Sequence, residues 1–363
     1  MLLTAALAPV AVPSFGVNPL RHNSYSVDKG ANLCHKLLLD IKNGDGGVML
    51  ENIPVLRQAD LDAYLGNVDV VAALEQVFAA LHKGLVTQPP QTLTLFPQER
   101  GDFITYLGVL GHVDIFGAKL SPYIPTGAGP IITAWTMLMS MKTGLPLLLC
   151  DSGSLTTERT AATTCLAVKK LARSEASVLA VIGSGAIAFA HIRYALTVRQ
   201  WSEIRVFSPG LAAKPERQSA LKALDGRVRI AANAPDCIRG ADVVMLATSS
   251  GKPVIDPADI GKNALITSIS TNVARAHELD PALLPTMAVY CDFKATTPES
   301  AGEMVLAEES GQWSRERIKG DLADLCAGAV SAPDYEKPVF FRSIGLGIED
   351  VAIAYAIYKQ ISG

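Results

Sequence analysis

Residues 178–192 read VLAVIGSGAIAFAHI, a short apolar run that enters a glycine-rich turn and leaves it as an alanine-rich segment. A dinucleotide-binding βα unit begins with this order of strand, turn and helix. Gly183 suits the tight turn, Gly185 lets a pyrophosphate approach the backbone, and Ala188 lets the helix pack closely on the strand. The phosphates would meet the positive end of the helix dipole. The stretch therefore predicts a nucleotide-binding site.

Five more short apolar runs follow on the C-terminal side, with helical or turn-forming sequence between them. Together with the first run, the predicted strands are 178–182, 204–207, 228–231, 243–247, 264–268 and 288–291. Strands that alternate with helices predict a parallel, doubly wound sheet. We therefore assign residues 177–292 to a Rossmann-type dinucleotide-binding domain in an α/β protein.

The sequence before this domain has a different pattern. A helix is predicted between the N-cap candidate Asp69 and Gly84, because apolar residues recur at helical spacing. Three strand-like runs follow at 92–96, 103–109 and 115–120. Turn residues separate these runs, which favours an antiparallel sheet. A long helix is predicted at 156–172, directly before the nucleotide-binding strand.

The two ends of the chain differ from each other. Residues 1–52 have few periodic patterns and several turn formers, so they are predicted to be an extension before the main fold. After residue 292, helices are predicted at 301–306, 317–326 and 347–361. These helices are expected to return and pack outside the nucleotide-binding domain.

Composition limits the function classes. The chain has 363 residues, 49% of them hydrophobic and 18% charged, with a formal net charge of -3. This length favours two domains, and the charge gives no basic footprint for nucleic acid or for an anionic membrane. The six cysteines occur singly, without metal-ligand spacing. We expect a cytoplasmic protein with reduced thiols, no bound metal, no nucleic-acid or membrane partner and a small-molecule substrate.

Four segments outside the glycine-rich turn carry a family resemblance. They are GAKLSPYIP at 117–125, CDSGSLTTERTAA at 150–162, CDFKATTPESAGEM at 291–304 and FRSIGLGIEDVAIA at 341–354. Together with GSGAIA, and in this order, they resemble the ornithine cyclodeaminase/mu-crystallin family. The resemblance extends from about residue 55 to the C-terminus, and its most specific part is the LTxxRTAA signature.

The resemblance implies a particular domain organisation and chemistry. Residues 53–176 and 293–363 would form one α+β domain for substrate binding and dimerisation, with the Rossmann domain inserted between them. A homodimer and a nicotinamide cofactor are implied, together with chemistry at the Cα–N bond of a small amino acid or its imine. The family includes ornithine cyclodeaminases, alanine dehydrogenases and ketimine reductases, and mu-crystallin is also known as a binding protein.

The resemblance also assigns four residues to the substrate. Lys119 matches the family lysine at the substrate nitrogen and carboxylate, and Arg159 matches the arginine that grips the carboxylate. Asp292 matches the aspartate that contacts the substrate amine in the cyclodeaminases. Gln91 stands where the family commonly has the arginine of Pro-Pro-Arg, a second carboxylate clamp. The missing charge leaves the identity of the substrate open.

General chemistry favours the same catalytic and binding roles. Arginine binds a carboxylate in bidentate geometry, and a desolvated lysine can donate a proton to the imine nitrogen as hydride adds to carbon. An aspartate beyond a parallel strand lies where α/β sheets bind ligands. The structural alternatives are an ion pair of Arg159 with Glu158, a Lys119 side chain that reaches solvent, and Asp292 as a turn cap.

The residues after the second strand predict the cofactor. NAD-binding proteins usually place Asp or Glu there, whereas this chain has Ser208, followed by Lys214 and Arg217. A missing carboxylate and two nearby cations favour NADP(H) over NAD(H). The complete set of predicted cofactor-binding residues is Gly183, Ser184, Gly185, Ala186, Ile187, Ser208, Lys214, Arg217 and Thr248.

The sequence thus predicts an NAD(P)H-dependent oxidoreductase that reduces the C=N bond of a small α-imino acid. Lys119 and Asp292 are the catalytic candidates, and Arg159, Lys119 and Gln91 are the substrate-binding candidates. The substrate would be a cyclic ketimine, such as pyrroline- or piperideine-2-carboxylate, or the imine of an α-keto acid and an amine. Two alternatives remain: a cyclodeaminase with tightly bound NAD, and a crystallin-like ligand-binding protein.

Overall fold

The structure is a computed structural model that describes residues 53–270 and 275–362. The predicted N-terminal extension at 1–52 lies outside the described residues. The helices of the described part are α1 Gln58–Leu65, α2 Val70–His82, α3 Gly153–Leu171, α4 Ala186–Val198, α5 Pro215–Lys222, α6 Ala234–Ile238, α7 Thr297–Ser300, α8 Gly302–Glu309, α9 Leu322–Ala327 and α10 Gly347–Ser362.

The N-terminal half contributes the first of two sheets. Its strands are β1 Val55–Leu56, β2 Val86–Thr87, β3 Thr92–Leu95, β4 Asp102–Leu110, β5 Ile115–Ile124, β6 Ile131–Ile132, β7 Trp135–Ser140 and β8 Pro146–Asp151. The strand order is β1-β8-β7-β5-β4-β2, with β3 added to β4 and β6 added to β5. All pairs are antiparallel except β1 with β8. The predicted antiparallel region is therefore present.

Helix α2 begins and ends as its sequence predicts. The Asp69 side chain accepts a hydrogen bond from Ala72 N at 2.9 Å, which satisfies one of the free N–H groups of the first turn. Apolar side chains on one face, including Leu74 and Phe78, are fully buried. This burial against the rest of the domain, more than intrinsic helix propensity, stabilises the helix.

The second sheet is the predicted Rossmann sheet. Its strands are β9 Val178–Ile182, β10 Glu203–Phe207, β11 Val228–Ile230, β12 Val243–Leu246, β13 Leu265–Ser268, β14 Ala288–Cys291, β15 Gly320–Asp321 and β16 Val339–Arg342. The order is β11-β10-β9-β12-β13-β16-β14-β15, and every pair is parallel. The α/β fold is confirmed, and each of the six predicted strands lies within a residue or so of its observed position.

The C-terminal boundary of the Rossmann sheet differs from the prediction. We placed residues 293–363 outside the nucleotide-binding domain, but β15 and β16 belong to its sheet, and β16 lies between β13 and β14. The reason is the apolar run at 339–341, whose residues are completely buried in the centre of the sheet. The region predicted as a helix at 317–326 contains β15 and the shorter helix α9.

Helix α10 returns to the first sheet, as the two-ended domain requires. Gly108 on β4 and Gly117 on β5 are paired with each other on neighbouring strands. A Cβ at Gly108 would lie 2.9 Å from the Cα of Ile348, and one at Gly117 would lie 3.1 Å from Cγ2 of Val351. Only glycine permits so close an approach of helix and strand. The last helix therefore packs directly against the N-terminal sheet.

Within residues 53–270 and 275–362, no single helix is long and apolar enough to cross a membrane, although α1 and α2 together reach that length and composition as a pair bent by 85°. No group of three or more His, Cys, Asp or Glu residues among those described could hold a metal ion.

Candidate functional site

A cleft of about 950 Å³ lies at the carboxyl ends of the central parallel strands. Ile182, Phe207 and Ala247, at the ends of β9, β10 and β12, form part of its wall. The nine predicted cofactor-binding residues all line this cleft: Gly183, Ser184, Gly185, Ala186, Ile187, Ser208, Lys214, Arg217 and Thr248. The structure thus brings the whole predicted set together at the crevice where doubly wound sheets bind ligands.

The two glycines of the turn have different physical roles. Gly183 has a φ of +134°, and a Cβ there would lie 2.2 Å from the carbonyl oxygen of Ala247. A larger residue would therefore strain the backbone and collide with β12. A Cβ at Gly185 would meet no atom within 4 Å. The absence of a side chain at Gly185 instead keeps the cleft open at the helix terminus.

The beginning of helix α4 is suited to bind phosphate. Its N-cap residue is Gly185, and no side chain accepts a hydrogen bond from the first turn. The free N–H groups of that turn and the helix dipole favour an anion at this point. The open space at Gly185 and the volume of the cleft fit a dinucleotide, whose nicotinamide ring would supply or accept the hydride.

The cleft has a cationic side near the end of β10. Ser208 follows the strand directly, and the exposed side chains of Lys214 and Arg217 line the same wall. Arg217 also donates a hydrogen bond to the Ser184 carbonyl oxygen at 3.2 Å. Among the described residues that line the cleft there is no aspartate or glutamate.

The buried carboxylate of Glu278, which was not predicted from the sequence, holds the cleft residue Thr248. Glu278 accepts hydrogen bonds from both N and Oγ1 of Thr248, at 2.8 and 2.7 Å. Its other oxygen accepts hydrogen bonds from Ser268 Oγ, Ile269 N and Ser270 N. Glu278 therefore holds the loops after β12 and β13 together beside the cleft.

The predicted catalytic lysine is buried on the inner face of the antiparallel sheet. Lys119 is 1% exposed and lies in a row across three strands, between Tyr106 and Thr136. Its Nζ lies 2.8 Å from Oδ2 of Asp350 and 3.9 Å from the ring centre of Tyr106. It also donates a hydrogen bond to Thr156 Oγ1 at 3.4 Å. The sequence alternative, a lysine that reaches solvent, is excluded.

Arg159 contacts the same acid, Asp350. We refer to five residues that contact one another as the substrate cluster: Tyr106, Lys119, Arg159, Glu349 and Asp350. The Nη1 of Arg159 donates a hydrogen bond to Oε2 of Glu349 at 3.2 Å, and its Nε lies 3.4 Å from Oδ1 of Asp350. Glu158, the alternative partner, instead pairs with Arg193 at 2.6 Å. A Cβ at Gly345, whose φ is +76°, would lie only 1.7 Å from Nη1 of Arg159. The glycine therefore leaves the space that the guanidinium occupies.

Asp292 and Gln91 both hold the turn that contains Gly345. Asp292 is fully buried and accepts hydrogen bonds from Ile344 N at 2.7 Å and Gly345 N at 3.1 Å. Its other oxygen accepts hydrogen bonds from Phe293 N and Thr297 Oγ1. Gln91 Nε2 donates a hydrogen bond to the Gly345 carbonyl oxygen. The described contacts of both are within the protein, and their contact with substrate stays a prediction.

Three further members of the substrate cluster were not predicted from the sequence: Tyr106, Glu349 and Asp350. Tyr106 could have been found from the register of the β4–β5 hairpin, which pairs it with Lys119. The two acids were visible in the quoted segment GLGIEDVAIA, in the first turn of a predicted helix. No local pattern indicates that this turn faces a strand near the other end of the chain.

Burial sets the protonation of the cluster. Desolvation lowers the pKa of Lys119 to about 8, although the nearby Asp350 carboxylate opposes this shift. Desolvation raises the pKa of Glu349 to about 7, against the opposing effect of Arg159. An ammonium with this pKa can lose its proton near neutral pH, which a general acid requires.

Helix α3 connects the cluster with the cofactor cleft. Thr156 accepts the hydrogen bond from Lys119, Thr157 lines the cleft, and Arg159 binds the two acids of α10. One turn of α3 therefore contacts the Lys119 ammonium, carries the Arg159 guanidinium and contributes to the wall of the cleft. This arrangement can hold an α-imino acid while its carbon receives hydride.

The chain is similar to known proteins over nearly all of its described length. The sequence profile of the ornithine cyclodeaminase/mu-crystallin family matches residues 53–363. The NAD(P)H-dependent anabolic L-arginine dehydrogenase DauB of Pseudomonas aeruginosa is 50% identical over 305 residues, which cover 84% of this chain and 96% of that protein. The resemblance inferred from the motifs is therefore confirmed.

Two solved structures share the fold. The Δ1-pyrroline-2-carboxylate reductase of Thermococcus litoralis, solved with NADH and L-proline, has a TM-score of 0.79 at 22% identity and covers 85% of this chain and 98% of its own. An archaeal alanine dehydrogenase dimer with bound NAD has a TM-score of 0.78 at 24% identity, and the match covers 85% of this chain and 96% of the dehydrogenase chain.

Proposed function

This chain belongs to the ornithine cyclodeaminase/mu-crystallin family, and from that premise we propose that it reduces the C=N bond of an α-imino acid with hydride from NAD(P)H. It is an NAD(P)-dependent oxidoreductase that acts on the bond between Cα and nitrogen. The observation that carries the proposal is the buried Lys119–Arg159 cluster next to a dinucleotide cleft, joined through one turn of α3.

The side chains have separate roles in this reaction. Arg159 binds the substrate carboxylate, because a guanidinium remains charged and can form two parallel hydrogen bonds. Lys119 donates a proton to the imine nitrogen as the carbon accepts hydride. Asp292 and Gln91 hold the Gly345 turn against Arg159, and we propose that both also face the substrate when it is bound.

We propose an α-imino acid with a basic side chain as the first substrate to test. The relative at 50% identity is an L-arginine dehydrogenase, so the leading candidate is 5-guanidino-2-oxopentanoate with ammonia. In that reaction the keto acid, ammonium, NADPH and one proton give L-arginine, NADP⁺ and water. Pyrroline-2-carboxylate and piperideine-2-carboxylate are the cyclic candidates.

The experiment measures NADPH oxidation with these substrates and with a panel of other keto acid and amine pairs. We expect turnover of at least one α-imino acid. Release of ammonia from a diamino acid without net cofactor consumption would show a cyclodeaminase instead. Ligand binding without any turnover in the panel would favour a crystallin-like binding protein.

We propose that NADP(H) is preferred over NAD(H). Ser208, Lys214 and Arg217 on one wall, with no acidic residue among the described lining, support a 2′-phosphate at this position. Fluorescence titration should give a lower Kd for NADPH than for NADH. A lower Kd for NADH would refute the preference.

We propose a homodimer formed through the outer face of the antiparallel sheet. Leu107 and Met137 both align with Ala118, so they share one face with Leu120, and these three side chains are 40–48% exposed. An exposed apolar surface of this kind is typical of an interface. Light scattering of the purified protein should give twice the chain mass of 38.4 kDa. We also propose a cytoplasmic location, supported by five free cysteines among the described residues.

A further inference from the structure

Glu349 is a buried acid to which the reaction assigns no role. It lies in the first turn of α10 and has no solvent exposure. Its Oε2 accepts a hydrogen bond from Nη1 of Arg159, the group expected to bind the substrate carboxylate. Its Oε1 has no hydrogen-bond partner in the described part of the chain. In the protein without substrate, the Glu349 carboxylate is thus bound to the guanidinium that is expected to bind the substrate carboxylate.

Five ionisable side chains surround Glu349, one on α10 itself and four on other elements of the fold. Arg159 faces it from α3, Asp350 is its neighbour on α10, and Asp292 approaches from the end of β14. Lys119 on β5 and Tyr106 on β4 belong to the same cluster. When all these groups carry their usual charges, two cations face three carboxylates.

Glu349 contacts one cation, Arg159, whereas Asp350 contacts two, Lys119 and Arg159. Asp350 lies 2.8 Å from the ammonium of Lys119, and Asp292 accepts four hydrogen bonds. Glu349 has one oxygen on Arg159 and one oxygen without a partner. A buried charge without hydrogen-bond partners is costly, and protonation removes that cost.

We infer that Glu349 takes up a proton from solvent when a substrate carboxylate binds Arg159. The substrate would bring a fourth carboxylate to two cations in a buried cluster, and the neutral Glu349 carboxyl removes one of the four negative charges. The step forms an O–H bond on Glu349 and breaks none in the substrate. This inference rests on the proposed function, because it requires a substrate carboxylate at Arg159.

The ionisation of the ligand-free protein is suited to this role. The buried position of Glu349 raises its pKa to about 7, so the carboxyl of the free protein is mostly ionised at pH 8. A further anion beside the shared guanidinium raises the pKa again. Substrate binding above pH 7 is then linked to proton uptake, and affinity decreases as the pH rises.

Calorimetry measures this proton directly. The protein is saturated with NADP⁺ and titrated with 5-guanidino-2-oxopentanoate, a keto acid that has no amine and cannot react with the oxidised cofactor. Titrations at about pH 8 in buffers of different ionisation enthalpy give the number of protons bound. We expect the wild type to take up more than Glu349→Gln, by up to about one proton.

The control variant is Glu308→Gln, which changes an acid paired with Arg315 at the surface. It should take up protons like the wild type. Equal uptake by the wild type and Glu349→Gln would overturn the inference, and so would uptake that Glu308→Gln reduces equally. Thermal melting checks that the Glu349 variant is folded.

Kinetics provides an independent measurement on any imino acid that the protein reduces. For the wild type, KM should rise about tenfold per pH unit above pH 7, whereas the KM of Glu349→Gln should change much less. A parallel rise of KM in both proteins would contradict the role of Glu349. If the keto acid binds and takes up the proton but no substrate is turned over, the proposed function fails while the proton coupling stands.

Discussion

The cofactor cleft and the substrate cluster both contact the same turn of α3, but they are built in different ways. The cleft is open, its lining is mainly backbone and small side chains, and the cations Lys214 and Arg217 are exposed. The cluster is closed, and Lys119 and Arg159 are at most 5% exposed and paired with acids. The shape of the cleft depends on the geometry of a turn, whereas the arrangement of the cluster depends on a balance of buried charges.

This difference predicts how each region responds to substitution. A change at the cleft alters one contact with the cofactor, because neighbouring residues keep their solvent or backbone partners. A change in the cluster leaves a buried charge without its partner, which is more costly than the loss of one contact. Single substitutions should therefore have larger effects in the cluster than in the cleft.

The largest effect is expected for Lys119→Ala. It removes the proton donor and leaves Asp350 without its ammonium partner, so kcat/KM should decrease by about 10²–10⁴-fold. Lys142→Ala, which removes a surface ion pair with Asp114, is the matched control and should retain activity. Assays of NADPH oxidation measure both. If Lys119→Ala were folded and as active as the wild type, substitutions in the cluster would not have larger effects than those in the cleft, and the predicted difference would be wrong.

A smaller effect is expected for Arg159→Lys. The ammonium keeps the charge but cannot form two parallel hydrogen bonds to a carboxylate, so KM for the imino acid should rise by about 10–100-fold. The Kd of NADPH should stay close to the wild-type value, because Arg159 is not among the residues that line the cleft. Arg193→Lys, on the exposed pair with Glu158, is the control. A loss of cofactor binding equal to the loss of substrate binding would contradict the separation.

The pH dependence should reveal the proton on Lys119. In the Glu349→Gln background, kcat/KM should be constant at lower pH and decrease about tenfold per unit at higher pH, because the ammonium is lost as the pH rises through its pKa. That pKa is about 8 in the wild type, and the loss of the Glu349 carboxylate, which raises it, should move the decrease to lower pH. Rates at saturating cofactor between pH 6 and 10 measure this limb. A profile without an alkaline decrease would exclude Lys119 as the proton donor.

The smallest effect is expected in the cleft, for Ser208→Asp. The new carboxylate would repel a 2′-phosphate and accept hydrogen bonds from a ribose hydroxyl, so the ratio of NADPH to NADH affinity should fall by about tenfold. The imino acid KM should not change. Ser219→Asp, on the exposed side of α5, adds the same charge outside the cleft and serves as the control. An unchanged ratio would show that Ser208 does not contact the ribose.

The two regions also differ in how far the sequence predicts them. All nine predicted cofactor-binding residues line one cleft. Five of them form the continuous turn and helix start at 183–187, and the other four follow β10 and β12, the parallel neighbours of β9, whose carboxyl ends meet at the same edge. Of the cluster, Lys119 and Arg159 were predicted, but Glu349 and Asp350 were not. They begin α10, and only the packing of that helix on Gly108 and Gly117 brings them to the lysine.

The boundary of the Rossmann domain shows the same limit. The alternation of apolar runs and helices predicts the strands before residue 292, since each pattern is local. The position of β16 between β13 and β14 depends on pairing between strands that are far apart in the chain. Such pairing leaves no local sequence pattern. The run at 339–341 would be apolar whether it joined the Rossmann sheet or packed outside it, so its composition alone does not predict the sheet to which it belongs.

The sequence by itself determined the class of fold and the glycine-rich turn, because each depends on residues that are neighbours in the chain, and its motifs singled out Lys119 and Arg159 through their family resemblance. Only the tertiary structure decided which acids neutralise those cations and how deeply the cluster is buried. The physical reason is that a pKa depends on charges and solvent within a few ångströms in space. In this protein those charges come from both ends of the chain.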